Sequence, residues 1–178
     1  MKLDKGMIQV YTGDGKGKTT AAIGQGIRAY GNELRVVMIQ FLKSNETGEL
    51  SVLKNLGDNF KLVRLEKKRG FVWTLKDEEI EELKKEVIEE YNYAKEVLAD
   101  DLCDVLILDE VMGVLKNNFL SEDDVLELIK SKQNHVEVIL TGRNVPEKVA
   151  GYADLITEMK EVKHYFSKGV NARKGIEY

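Results

Sequence analysis

Apolar residues in this chain gather into short unbroken runs, and amphipathic stretches separate them. MIQVYT (7–12), LRVVMIQFL (34–42), DVLILD (104–109) and VEVILTG (136–142) are rich in β-branched residues and poor in polar ones. Each therefore predicts a buried strand. FKLVRLE (60–66) alternates more, as a strand nearer a sheet edge does, and residues 153–162 contain a short final strand. Between the runs the period lengthens. Residues 19–30 read as a helix that stops at Gly31, a good terminator. Residues 77–98 carry Ile80, Leu83, Val87, Tyr91, Ala94 and Leu98 on one stripe, the clearest amphipathic helix of the chain. Ser121, with Asp124 three residues on, starts another through a variant of the capping box. Strands alternating with helices imply right-handed crossovers. The expectation is one α/β domain over residues 1–178, a mostly parallel sheet with helices on both faces.

Composition narrows the class. The chain has 178 residues, 43% hydrophobic and 33% charged, which suits one soluble domain with a substantial core. Its net charge of −4 argues against general affinity for nucleic acid or anionic membrane, and leaves room for a local basic site. The single cysteine, Cys103, rules out an intramolecular disulfide and a cysteine zinc cluster, and its apolar surroundings mark it as a core residue. No apolar run reaches membrane-spanning length and the N-terminus lacks a signal-peptide pattern, so a cytoplasmic location is expected.

The densest chemistry lies in VYTGDGKGKTTAA (10–22), between the first strand and the first helix. Gly13, Gly15 and Gly17 let the backbone approach a ligand closely, and a helix N-terminus presents N–H groups and a positive dipole end to an anion. Lys18 can reach phosphate oxygens, and Thr19 can offer its hydroxyl to Mg²⁺. The usual G-x-x-x-x-G-K-[ST] pattern would need glycine at position 12; here Thr12 stands there, Gly13 follows, and Lys16 is extra. The loop reads as a phosphate-binding loop of an uncommon variety.

Other candidates sit at the carboxyl ends of predicted strands. Asp109 and Glu110 close the run VLILDE; beside a phosphate loop, metal binding is a better reading than capping. Arg143, after ILTG, is placed either to grip triphosphate or to make a structural ion pair, and Lys43 is similarly placed. In KKRGFVWT (67–74), Phe71 and Trp73 are open to two readings, as plugs of the core or as an aromatic wall for a flat ligand. His135 and His164 carry little information.

Together, YTGDGKGKTTAA, VVMIQFLK, GFVW, LILDE, ILTGR and the tail EVKHYFSKGVNARKGIEY resemble the P-loop type of ATP:corrinoid adenosyltransferase over nearly the whole chain. The resemblance implies a P-loop NTPase-like fold. It implies transfer of the 5′-deoxyadenosyl group of ATP to the Co(I) of a reduced corrinoid, cobalamin or a precursor, with release of triphosphate. ATP would lie reversed in the loop. Residues Gly13, Asp14, Gly15, Lys16, Gly17, Lys18, Thr19 and Thr20 would cradle the triphosphate, and Arg143 would assist. Thr19, Asp109 and Glu110 would stand near Mg²⁺ or Mn²⁺, with Lys18 and Glu110 the catalytic pair. Phe71 and Trp73 would face the underside of the corrin and displace its lower ligand, favouring four-coordinate Co(II). A flavoprotein reductant and a homodimer are also implied. The chain departs from the family pattern in three places. Six residues precede Met7 where relatives often carry a longer segment over the site, Asp14 stands where Asn is common, and VMGVL (111–115) replaces a stretch that often holds threonine. Two other functions compete: an ordinary P-loop hydrolase or nucleotide kinase, and a carrier of nucleotide or corrinoid without turnover.

Overall fold

Six strands make a single sheet in the computed structural model, which describes residues 2–44, 46–64 and 67–178. They are β1 (Ile8–Thr12), β2 (Val36–Gln40), β3 (Phe60–Val63), β4 (Val105–Asp109), β5 (Glu137–Thr141) and β6 (Leu155–Glu158). Their order is β3-β2-β4-β5-β1-β6, and every neighbouring pair is parallel. The expected buried runs form the four central strands. Residues 60–66 supply an edge strand as their alternation predicted; it ends at Val63, and positions 65 and 66 lie outside the described residues.

The helices are α1 (Lys18–Tyr30), α2 (Gly48–Leu53), α3 (Asp77–Ala99), α4 (Val111–Lys116), α5 (Glu122–Lys130) and α6 (Glu147–Ala150). Alternation along the strands divides the core in two. Val10, Ile39, Leu106, Leu108, Val138 and Leu140 face α3, α4 and α5, where Val87, Ala94, Val114 and Val125 close the layer. Val36, Met38, Val105, Ile107 and Ile139 face the other way, against Ala22 and Ala29 of α1 and Leu53 of α2. Strands covered on both faces can be apolar at every position, which explains why their runs lack a period of two. Ser121 caps α5 through Asp124 as expected: its hydroxyl accepts the Asp124 N–H at 3.1 Å, and Asp124 accepts the Ser121 N–H at 2.7 Å.

Parallel strands bring their carboxyl ends to one edge. There β1, β2, β4 and β5 each end on a buried polar residue, respectively Thr12, Gln40, Asp109 and Thr141. Buried polar groups need partners. Those partners make the site. Among the described residues no helix is long and apolar enough to cross a membrane.

Candidate active site

The glycine loop joins β1 to α1 and leans on the chain leaving β6. Gly13 and Gly17 have φ values of 98° and 120°, a region that L side chains avoid. A Cβ at Gly13 would stand 2.4 Å from the Met159 carbonyl oxygen, and the Gly15 N–H donates to that oxygen at 2.7 Å. Lys18, the first residue of α1, folds its side chain back into the loop. Its Nζ donates to the carbonyls of Gly13 at 2.6 Å and Gly15 at 2.9 Å. Burial, with Arg143 adding repulsion, lowers its pKa, so an ammonium is being held where an anion would relieve it. No acidic residue sits in the first turn of α1 to compete for the dipole.

Asp109 organises the neighbouring strand ends. Its Oδ1 accepts from Thr141 at 2.6 Å and from Thr19 at 2.9 Å; its Oδ2 accepts from Lys43 Nζ at 2.6 Å and from Gln40 at 2.9 Å. Lys43 Nζ also reaches Thr19 Oγ1 at 3.1 Å. Burial opposes the charge on Asp109, but the Lys43 ammonium and the two hydroxyl donors outweigh it and hold the carboxyl below the usual range. Gln40 passes the network outward, its Oε1 accepting from Arg64 Nε at 2.7 Å. Glu110 is turned by a left-handed backbone (φ 64°) as α4 begins, and its N–H donates to Thr141 Oγ1 at 2.9 Å. Burial first, and Asp109 second, raise its carboxyl pKa. A Cβ at Gly113 would meet Glu110 Oε1 at 2.9 Å, so this glycine leaves the room that the carboxyl occupies.

These groups suit a hard divalent cation. The donors are a hydroxyl and two carboxylates, and the Lys43 ammonium already bridges Asp109 and Thr19 as a positive charge would. Among the described residues no three His, Cys, Asp or Glu side chains form a cluster able to hold a metal. Phosphate oxygens would have to complete the shell, as is usual for Mg²⁺.

Phe71 and Trp73 are 65% and 79% exposed and stack face to face, their centroids 4.6 Å apart and their planes 4° from parallel. The core-plug reading of these rings is overturned. Their loop packs Val72 and Leu75 against the core and is also held by polar contacts. Arg69, almost fully buried, forks onto Glu86 of α3, with Nη2 to Oε1 at 2.9 Å, and also reaches Glu82 Oε2 at 2.8 Å. Ser44, next to Lys43, donates to the Arg69 carbonyl at 3.2 Å and accepts its N–H at 3.1 Å. The aromatic loop is thereby tied to the segment that carries Lys43.

The structure therefore brings together Lys18, Thr19, Asp109 and Glu110, and it adds Lys43. Thr20 is exposed on the first turn of α1, and Asp14 faces Arg143 across 3.9 Å at the loop's outer lip, a loose surface pair. Lys16 points away from the loop's centre, its Nζ donating to the Ile176 carbonyl at 2.8 Å and to Glu177 Oε1 at 2.9 Å. Gln40, Thr141 and Arg64 were not anticipated. The available signal was one polar residue closing each apolar run.

A family model described as ATP:corrinoid adenosyltransferase BtuR/CobO/CobP matches residues 4–178. The corrinoid adenosyltransferase CobA of Salmonella typhimurium LT2 is 34% identical over 176 residues, 98% of this chain and 87% of that one. The corrinoid adenosyltransferase of Escherichia coli K12 shows the same figures, and that of Pseudomonas aeruginosa is 32% identical over 98% of this chain and 85% of its own. Among solved structures, the flagellar accessory protein FlaH of Methanocaldococcus jannaschii superposes with a TM-score of 0.58 at 16% identity, covering 88% of this chain and 72% of that one. A KaiC-like protein of Pyrococcus horikoshii gives 0.53 at 16% identity, covering 88% and 74%. At such identity the two structures speak for the P-loop NTPase-like fold alone.

Proposed function

Because this chain belongs to the ATP:corrinoid adenosyltransferase family, we infer that it transfers the 5′-deoxyadenosyl group of ATP to the cobalt of a reduced corrinoid and releases triphosphate. The observation that carries the reading to residues is the junction of loop and acid, with Thr19 at the loop's end held 2.9 Å from the buried carboxylate of Asp109. In the reaction a Co–C5′ bond forms from the electron pair of Co(I), and the C5′–O bond breaks with its pair leaving on triphosphate. Co(I) is nucleophile enough to need no general base. The protein's work is alignment of C5′ with cobalt and stabilisation of charge on the leaving group.

The N–H groups of residues 13–20, the dipole of α1, Lys18 and the exposed Arg143 would take that charge. Thr19, Asp109 and Glu110 would hold Mg²⁺ or Mn²⁺, which when bound supplies further positive charge beside the triphosphate. The stacked pair Phe71 and Trp73 would lie under the corrin, displace its lower ligand and so make Co(II) easier to reduce. A flavoprotein as the electron donor, a cytoplasmic location and a homodimer belong to the same reading.

An anaerobic assay with ATP, Mg²⁺ and chemically reduced corrinoid tests it. The expected result is a light-sensitive cobalt–carbon product with stoichiometric, intact triphosphate. Orthophosphate without cobalt alkylation would mean an ordinary hydrolase, and bound ATP without product would mean a carrier.

A further inference from the structure

The extra lysine of the glycine loop has a partner that phosphate binding does not explain. Lys16 meets the far end of the chain, at Ile176 and Glu177. The Glu177 side chain is only 16% exposed, and other groups converge on it. Oε1 also accepts from the Tyr165 hydroxyl and from Arg173 Nη2 at 3.2 Å, while Oε2 accepts from the Arg173 N–H at 2.7 Å and Nε at 3.3 Å. The Arg173 guanidinium stands 4.8 Å from the centroid of the Tyr165 ring. Hydrogen bonds from Arg173, Tyr165 and Lys16 hold this carboxyl far below the usual range.

The same segment buries almost nothing of its own. From residue 161 to the end no residue is buried, and Val162, Phe166, Ile176 and Tyr178 are exposed. Its backbone hydrogen bonds are local, for example Gly169 N–H to Phe166 and Gly175 N–H to Tyr178. Apolar packing cannot fix such a segment in place. A carboxylate that gathers the tail into one unit, and is itself gripped by Lys16, can.

We propose that Lys16 is the docking post of the C-terminal segment and Glu177 its positioning partner, so that the tail stands as a wall beside the triphosphate loop. Two lysines two residues apart thereby divide the labour: Lys18 faces into the loop, and Lys16 faces out to hold the wall. The proposal deepens the reading of residues 13–20 as a triphosphate loop and rests on it.

The test uses the whole 178-residue chain and its variants K16M, E177Q, the double variant and K18M. Two quantities are measured: the rate of trypsin cleavage after Lys168, Arg173 and Lys174, and the dissociation constant of ATP. Each of K16M and E177Q should speed tail cleavage about fivefold. The double variant should be no worse than E177Q alone, because Glu177 also holds Arg173 and Tyr165. K16M and E177Q should shift ATP affinity by the same factor, whereas K18M should weaken ATP binding and leave the tail protected. If K16M weakens ATP tenfold while E177Q alters neither quantity, Lys16 is a phosphate ligand and the proposal falls. Cleavage that rises additively in the double variant, well above that of E177Q, would also overturn it. If K18M leaves ATP affinity unchanged, the loop reading fails instead, and the cleavage rates still decide whether Lys16 and Glu177 act as a pair.

Discussion

The acid at the end of β4 and the aromatic pair before α3 are built from opposite materials. Asp109 is fully buried, and donors from Thr19, Thr141, Gln40 and Lys43 converge on it. Phe71 and Trp73 stand in solvent, stacked on each other, on a loop held by Arg69. A buried charge needs its partners in place before any ligand arrives, so the nucleotide end has to be assembled as part of the fold. Exposed rings carry the opposite imbalance, since their apolar surface is relieved only when something flat covers it. Residues at the first site should serve stability and chemistry together. Those at the second should serve chemistry alone.

The sharpest way to break this contrast is at its buried end. Asp109→Ala should abolish transfer and cost about 3 kcal/mol of stability, because Lys43 and the hydroxyls lose their acceptor inside the protein. Chemical denaturation beside a turnover assay measures both, and full activity or unchanged stability would sink the contrast. Lys18→Met comes next. It should raise the ATP dissociation constant about tenfold or more, the usual scale for a charged hydrogen bond to phosphate. It should lower the denaturation midpoint by less than Asp109→Ala does, because Lys18 is only half-buried. At the exposed end, Trp73→Ala should leave stability within about 0.5 kcal/mol and ATP affinity unaltered. Its rate with corrinoid should fall by roughly tenfold, on the scale of one lost aromatic stacking contact.

The smallest expected effect concerns pH. Lys67 and Arg69 pull the Glu82 carboxyl down to about 2. A carboxylate depressed in the folded state contributes its full stability above its unfolded pKa, near 4.3, and that contribution drains as pH falls from there through the folded value. In the folded protein the group itself stays ionised until the folded value is reached. The anchoring of the aromatic loop should therefore persist through the range in which ordinary glutamates protonate. Trp73 is the only tryptophan, so its emission reports on this loop directly. Emission should hold steady from neutral pH to about pH 4. An inflection near the ordinary glutamate value would show that the Arg69 contacts do not fix the loop.

Much of the frame was legible before the structure. Unbroken apolar runs marked the central strands because both faces of the sheet are covered, and Gly-Lys-Thr between a strand and a helix marked the loop. Asp109 was legible because a charge at the end of such a run demands a purpose. Gln40 and Thr141 were not, since their convergence is a matter of register: Gln40 pairs with Asp109 across β2 and β4, and Thr141 follows Leu140, which pairs with Leu108. Nor were α2, α4 and α6, which are too short to show a period and are held by packing. For Phe71 and Trp73 the core reading failed because Val72 and Leu75 are the residues of this loop that pack on the core, and the two rings are left in solvent. The direction of Lys16 depends on Glu177, 161 residues further along the chain, which no local pattern can express.

The most direct test of the central claim is the electron paramagnetic resonance spectrum of Co(II) corrinoid bound to the ATP-loaded protein, wild type against Trp73→Ala. The account predicts a four-coordinate signal in the wild type that is lost in the variant, with ATP still bound to both. A four-coordinate signal of equal strength in the two proteins would contradict it, and would make the exposed aromatic pair irrelevant to the corrinoid.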